Sequence, residues 1–323
     1  MTEIWEHNRT YSFFRPYVDD CIRKGFRYLK YRGADLPEDG AVILAPNHTN
    51  TLMDALVILA GRKGPTAFGS RADIFRNPAA ARLLHFFRML PLVRERDGLS
   101  QVKENYESFD LIDQTLEHRV PFCVFAEGTH RPGRSLQPIK KGIARIALRS
   151  AQARQTWLVP TGINYTDFFR YRKGCEVRYG EPVDVNAFVR EHPELNEAQL
   201  LQALRSHLED RMAALVEPQG PAEEKPSPLI LLLWPFAALL SFPIWCTAEV
   251  LCSKMKDRAW CNSIRTLCYI LLLPLTALIW CLLIGLTFSW PAALAIAAAT
   301  SYSYPLFYDG LNLVAGRTLS PVK

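Results

Sequence analysis

Two residues in the stretch "APNHTNTLMDAL", Ala45 to Leu56, carry side chains suited to proton transfer: His48 and Asp54. An imidazole changes charge near neutral pH, so it can take the proton of an attacking hydroxyl. A carboxylate on the other ring nitrogen fixes the tautomer and stabilises the imidazolium that forms. Acyl transfer to an alcohol needs such a base. An alcohol that attacks a thioester directly needs no serine or cysteine nucleophile, and none stands beside this pair. The plainer reading of the same letters is a surface histidine next to a helix cap.

A second cluster follows in "FAEGTHRPGRSL", Phe125 to Leu136. The apolar run "VPFCVFA" delivers Glu127 and Gly128 to the C-terminal end of a strand, where open α/β sheets bind ligands. Glu127 reads either as a buried turn acid or as a ligand for substrate hydroxyls. His130, Arg131 and Arg134 come next in a loop shaped by Gly and Pro, and guanidinium groups there could fork onto a phosphate. Arg94 and Arg96 leave another strand end in "MLPLVRERDG", and "LVPTGINY" runs into a small polar turn.

These pieces need strands to carry them. "AVILAP" and "PTAFGSR" are short apolar runs of the kind found in fully covered strands, and "PEDG" is turn chemistry. "LMDALVILA", "NPAAARLLHFFRML" with its Asn-Pro start, "QVKENYESFDLIDQTLEHR", "IKKGIARIALRSAQA" and "NEAQLLQALRSHLEDRMAALV" have helical spacing. "LPLVRE", "VPFCVFAEGTH", "TWLVPTGINY" and "CEVRYGEPV" read as further strands. Strands alternating with helices predict an α/β domain whose mixed, mostly parallel sheet is flanked by helices on both faces. We place an N-terminal amphipathic helical segment at 1–32, the α/β domain at 33–216 and a linker, "EPQGPAEEKPSP", at 217–228. A hydrophobic, all-helical membrane region follows at 229–315.

Composition narrows the function classes. The 323 residues carry a net charge of +6, which does not demand nucleic acid as a partner. The basic clusters around Arg82 and Arg145 suit solvated helix faces, a phosphate or an anionic bilayer surface. Five of the eight cysteines lie between Cys246 and Cys281 among apolar residues, with no spacing of the metal or disulfide type. The first residues lack a basic-then-apolar signal pattern, so the α/β part is expected in the cytosol.

Taken together and in order, "NHTNTLMD", "LPLVRERDG", "FAEGTHRPGRSLQPIKKGIA" and "LVPTGINY" resemble the glycerolipid acyltransferase family over about residues 30 to 185. The resemblance implies a membrane-bound enzyme of the glycerol-3-phosphate acyltransferase-like fold. Such an enzyme moves an acyl group from acyl-CoA or acyl carrier protein to glycerol-3-phosphate or lysophosphatidic acid, with no metal and no organic cofactor. By position, it makes His48 the base and Asp54 its orienting partner. It puts Glu127, Gly128 and Thr129 along the acceptor site, and makes Arg94 and Arg131 phosphate ligands, with Arg96 and His130 as rivals for those two roles. Three departures stand out. Five residues rather than four separate His48 from Asp54, a spacing similar to the branch that includes fungal glycerol-3-phosphate acyltransferases. Ala126 stands where proline is usual, and His130 stands where arginine is usual. Two other classes are a non-catalytic module binding lipid phosphate through the same cleft, and a lipid hydrolase. The second would call for a G-x-S-x-G elbow, which the chain lacks.

The tail carries a conflict of its own. Three apolar stretches, 229–252, 267–289 and 291–308, each approach the length that crosses a bilayer. A plain crossing by the first would put the loop "SKMKDRAWCNSIR" on the side opposite the α/β domain, although it carries Lys254, Lys256, Arg258 and Arg265 against one acid, Asp257. Short basic loops belong on the cytosolic side. Pro235 and Pro243 bend the first stretch, and Glu249 near its end prefers an interface. We therefore expect 229–252 to be re-entrant or interfacial, with 267–289 and 291–308 as a hairpin. Three ordinary spans are the alternative.

Overall fold

The computed structural model describes residues 3–92 and 102–315. An eight-stranded mixed sheet forms its centre. The strands are β1 (Tyr28–Gly33), β2 (Ala41–Pro46), β3 (Ala67–Arg71), β4 (Met89–Leu92), β5 (Phe122–Cys123), β6 (Thr156–Tyr165), β7 (Gly174–Tyr179) and β8 (Val183–Asp184). Their order is β1-β7-β6-β2-β5-β3-β4, with β8 paired to β6. All ladders are parallel except β6 with β7 and β6 with β8.

The helices of this domain are α1 (Arg9–Lys24), α2 (Leu52–Ala60), α3 (Pro78–Phe86), α4 (Val102–Glu117), α5 (Lys141–Ala153), α6 (Val185–Glu191) and α7 (Glu197–Ala213). They cover the sheet on both faces. Successive side chains of a strand point to opposite faces, and β2 shows the result. Ala41, Ile43 and Ala45 join one core with Leu116 of α4, Ile143 of α5 and Leu208 of α7. Val42 and Leu44 join the other with Ile22 of α1 and Val57 of α2. All six residues of β2 are buried, as the unbroken apolar run requires. A proline inside the central strand β6 is tolerated for a local reason. Pro160 faces the gap on one edge between β8, which pairs with Trp157 and Leu158, and β7, which pairs from Thr161 onward. No ladder bond is lost there.

Several expectations shift. The boundary at residue 32 cuts through β1, whose six residues pair in register with β7, so the sheet takes in part of the expected helical segment. The strand expected over "VPFCVFAEGTH" keeps regular ladder geometry only at Phe122 and Cys123. Its amides nonetheless follow β2 to the end, Val124 N–H donating to Leu44 O at 3.0 Å and Ala126 N–H to Pro46 O at 3.2 Å. The short β8 and α6 were not expected. The strand-end arginines Arg94 and Arg96 lie outside the described residues.

Beyond the α/β domain three helices pack on one another: α8 (Ile230–Ser253), α9 (Cys261–Thr287) and α10 (Trp290–Ala315). Pro235 and Pro243 lie inside α8 without ending it. Two segments, Ile230–Ser253 and Arg258–Thr287, are long and apolar enough to cross a membrane by length and composition. α9 starts earlier than expected because its polar first turns pack on the α/β domain. There the Asn262 side-chain amide donates to Phe168 O at 2.9 Å, and Thr266 lies against Met53 and Tyr171.

Both flanks of α8 are held by the α/β domain. Before it, Tyr28 hydroxyl donates to Ala222 O, Lys30 pairs with Glu224 at 2.6 Å and Lys173 pairs with Glu223. After it, Asp257 reaches His130 at 2.8 Å, and Arg265 Nη1 donates to Phe169 O at 3.1 Å. Asp309 of α10 adds a further tie, meeting Arg27 and Arg172 of the α/β domain at 3.2 Å each.

Candidate active site

β2 ends at Pro46, and the chain turns over the C-terminal edge of the sheet into α2. Asn47 locks that turn to β6: its Oδ1 accepts from Ile163 N–H at 2.6 Å and its Nδ2 donates to Ile163 O at 3.1 Å. His48 follows, and Asp54 sits in the first turn of α2, where the helix dipole favours a carboxylate.

The two side chains meet, His48 Nδ1 lying 2.8 Å from Asp54 Oδ2. The same oxygen accepts from the backbone amides of Thr49 and Asn50, both at 2.7 Å, and Oδ1 accepts from the Tyr165 hydroxyl at 2.8 Å. A fully buried carboxylate supplied with these donors acts as an acceptor toward the ring. Nδ1 therefore carries the proton, and Nε2 carries the lone pair. Phe125 stacks on the imidazole, with ring centroids 4.1 Å apart, and this holds the ring plane. The dyad is built to take a proton at Nε2.

Tyr165 was not among the residues singled out in the sequence. Burial and the neighbouring Asp54 charge raise its phenol pKa well above the ordinary value, so it remains a donor throughout the neutral range. Tyr165→Phe keeps the ring and removes one hydrogen bond to the carboxylate. We expect kcat to fall about tenfold, since a hydrogen bond to a charged group contributes roughly 1.5 kcal/mol or more. KM values and the unfolding temperature should change little. Undiminished kcat would make the phenol dispensable.

The second loop packs beside the first. Gly128 has φ +70°, a conformation glycine adopts without strain, and it closes a turn in which its amide donates to Phe125 O at 3.0 Å. Gly128 and Thr129 are exposed at the rim. Glu127 is buried instead, and its carboxylate accepts from Gln137 N–H at 3.3 Å and Gln137 Nε2 at 2.9 Å. Burial raises its pKa, against the lowering effect of the bonds from Gln137 and from the His48 backbone. It braces the two loops against each other, the buried-acid alternative, and does not open toward an acceptor as expected.

Arg131 is exposed, and its amide donates to His48 O at 3.1 Å. Its backbone is thus tied to the loop that carries the dyad. Arg134 is not available for a phosphate in the same way. Its two terminal nitrogens donate to Tyr165 O at 2.8 Å and Thr166 O at 2.7 Å, so it serves to close the end of β6. His130 stands edge-on to His48, ring centroids 5.7 Å apart. Among the described residues, no group of three His, Cys, Asp or Glu side chains is placed to hold a metal ion.

A family model described as Acyltransferase matches residues 29–164. The matched stretch runs from β1 to one residue short of the end of β6 and contains the dyad and Glu127; Tyr165, the last residue of β6, lies just beyond it. Over 86 residues, 26% of its length, the chain is 33% identical to Glycerol-3-phosphate O-acyltransferase 2 of Saccharomyces cerevisiae. The alignment spans 12% of that relative's length. The crystal structure of the 1-acyl-sn-glycerophosphate (LPA) acyltransferase PlsC from Thermotoga maritima aligns with a TM-score of 0.45, at 18% identity, over 65% of this chain and 83% of that one.

Proposed function

We infer that the protein is a membrane-bound O-acyltransferase of phospholipid synthesis. It moves a fatty acyl group from a thioester, acyl-CoA or acyl carrier protein, to the free hydroxyl of glycerol-3-phosphate or lysophosphatidic acid. The observation that carries this reading is the His48–Asp54 pair, with Nδ1 committed to the carboxylate at 2.8 Å and Nε2 left as the base. Among the described residues no serine or cysteine is hydrogen-bonded to that imidazole, which suits direct attack by a substrate hydroxyl. In the step, Nε2 takes the hydroxyl proton as the oxygen bonds to the thioester carbonyl carbon. The tetrahedral intermediate collapses, the C–S bond breaks, and the leaving thiolate takes the proton back from the imidazolium. No metal or organic cofactor takes part in this scheme.

The phosphate of the acceptor falls to the rim cations, Arg131 first, with Arg94 as the strand-end candidate. Arg131→Ala should raise the acceptor KM about tenfold and leave the thioester KM nearly unchanged, because a charge-assisted contact to one substrate is removed. Arg131→Lys should restore little. An equal rise in both KM values would take Arg131 out of the phosphate site.

The bilayer is the proposed partner of α8 to α10. Leu232, Phe236, Leu271, Leu275, Leu286 and Phe288 are all more than half exposed, and exposed apolar side chains grouped in this way suit a lipid environment. The ties on both flanks of α8 favour a segment that enters and returns on one side, with the α/β domain on the cytosolic face. Cysteine placed at Lys256 in a background without native cysteines should then react with an impermeant thiol reagent from the side of the α/β domain. Reaction only from the opposite side would establish a crossing.

Product analysis tests the function itself. The protein in bilayers, given labelled acyl-CoA or labelled acyl carrier protein with each acceptor in turn, should form labelled lysophosphatidic acid or phosphatidic acid. Label appearing only as free fatty acid would identify a hydrolase, and no turnover with any pair would favour the non-catalytic module.

A further inference from the structure

Thr51 sits at φ +49°, ψ −127°. Met53 N–H donates to Asn50 O at 3.0 Å across it. This is the second position of a type II′ turn, a place that glycine fills and that a β-branched residue occupies under strain. The turn lies in the middle of the dyad, between the Thr49 and Asn50 amides that hold Asp54 and the helix that carries it. Something outside the turn must hold it.

The holder comes from the far end of the chain. Thr51 Oγ1 lies 2.8 Å from Ser263 Oγ and donates to Ala259 O at 3.3 Å, and all three residues are buried. The segment from Asp257 to Ser263 spans the end of the connection between α8 and α9 and the first turn of α9. It is itself well fixed: Asp257 Oδ1 accepts from Ala259 N–H at 2.9 Å. Asp257 Oδ2 meets His130 Nε2 at 2.8 Å, and the Trp260 ring stands edge-on to His130 at 6.2 Å. The connection thus touches both loops of the site.

We propose that the α8–α9 connection and the first turn of α9 are a working part of the acyl-transfer site, in which Ser263 acts as a positioning residue that holds Thr51 in its strained turn and so keeps the Thr49 and Asn50 amides aimed at Asp54. The proposal rests on the functional reading above for its effect on turnover, but not for its effect on His48. The apolar helices then do more than anchor the domain. Loss of the tether lets the turn relax toward an ordinary threonine conformation, which misaligns the carboxylate and with it the imidazole.

The test uses the full chain in bilayers and two readouts. One is kcat for transfer. The other needs no substrate: the rate at which diethyl pyrocarbonate modifies His48, read by peptide mass spectrometry against the exposed His7. Ser263→Ala should lower both kcat and the His48 modification rate about fivefold, the worth of one ordinary hydrogen bond, with His7 unchanged. KM values should hold. Thr51→Ala should do the same. Thr51→Gly relieves the strain by another route, so adding Ser263→Ala to it should cost nothing further in either readout. The proposal is overturned if Ser263→Ala leaves His48 reacting at the wild-type rate, or if it costs as much beside Thr51→Gly as beside Thr51. A wild-type protein that transfers no acyl group would remove the functional reading alone, since the His48 rates still decide whether the tether exists.

Discussion

Replacing His48 with alanine should lower the rate of acyl transfer about 10³-fold, the typical worth of a positioned general base, or roughly 4 kcal/mol of barrier. The effect belongs to kcat. The base acts on the hydroxyl proton in the transition state and adds little to ground-state binding of either substrate. The fold should survive. The His48 side chain is partly exposed at 18%, and its contacts are one bond to Asp54, the stack on Phe125 and the edge-on His130 ring. Losing them costs about 1–2 kcal/mol, which thermal unfolding in detergent would register as a small shift. Turnover near the wild-type value would remove His48 from the mechanism. A collapsed fold would return the residue to the plain role of a structural histidine.

Asp54→Asn should cost as much or more in kcat, about 10³- to 10⁴-fold by analogy with other His–carboxylate pairs. The amide keeps the shape. Its oxygen can still accept from the Thr49 and Asn50 amides, and its nitrogen can turn toward the Tyr165 oxygen. The charge that favours the Nδ1–H tautomer and stabilises the imidazolium is gone. Asp54→Ala is a different experiment. It leaves the Thr49 and Asn50 amides and the Tyr165 hydroxyl, all buried, and the partly exposed His48 without their shared acceptor. Stranded buried donors cost roughly 1–3 kcal/mol each, so this variant should unfold at markedly lower temperature. Asn active at the wild-type level, or Asn as unstable as Ala, would contradict the assigned role.

Much of this was legible in the sequence, and the divide follows sequence distance. β2 and α2 could be read from "AVILAP" and "LMDALVILA", because a fully covered strand and an amphipathic turn leave local periodic marks. His48 and Asp54 are six positions apart, so one turn of helix and its entry loop bring them together. Tyr165 is 111 positions from Asp54 and Ser263 is 212 from Thr51. Such pairs arise from sheet order and helix docking, and nothing near either residue encodes them. Arg134 shows the opposite error. Its type and loop suited a phosphate, but the carbonyls at the end of β6 needed donors, and a buried carbonyl finds one wherever the chain supplies it. Glu127 went the same way, drawn inward by Gln137. The start of α9 was read as loop because Asn262, Ser263 and Thr266 are polar. Their burial against the α/β domain makes that polarity an interface rather than a helix end.

The central claim is direct transfer from thioester to a substrate hydroxyl under the control of His48. The measurement closest to it follows a single turnover of labelled acyl thioester on the bilayer-embedded protein, with acceptor present or absent, for the wild type and for His48→Ala. The account predicts label passing straight into the acceptor's ester, only when acceptor is present and only with His48 in place, with none bound to the protein at any time. Label held covalently on the protein before transfer, or equal transfer by the His48→Ala variant, would contradict it.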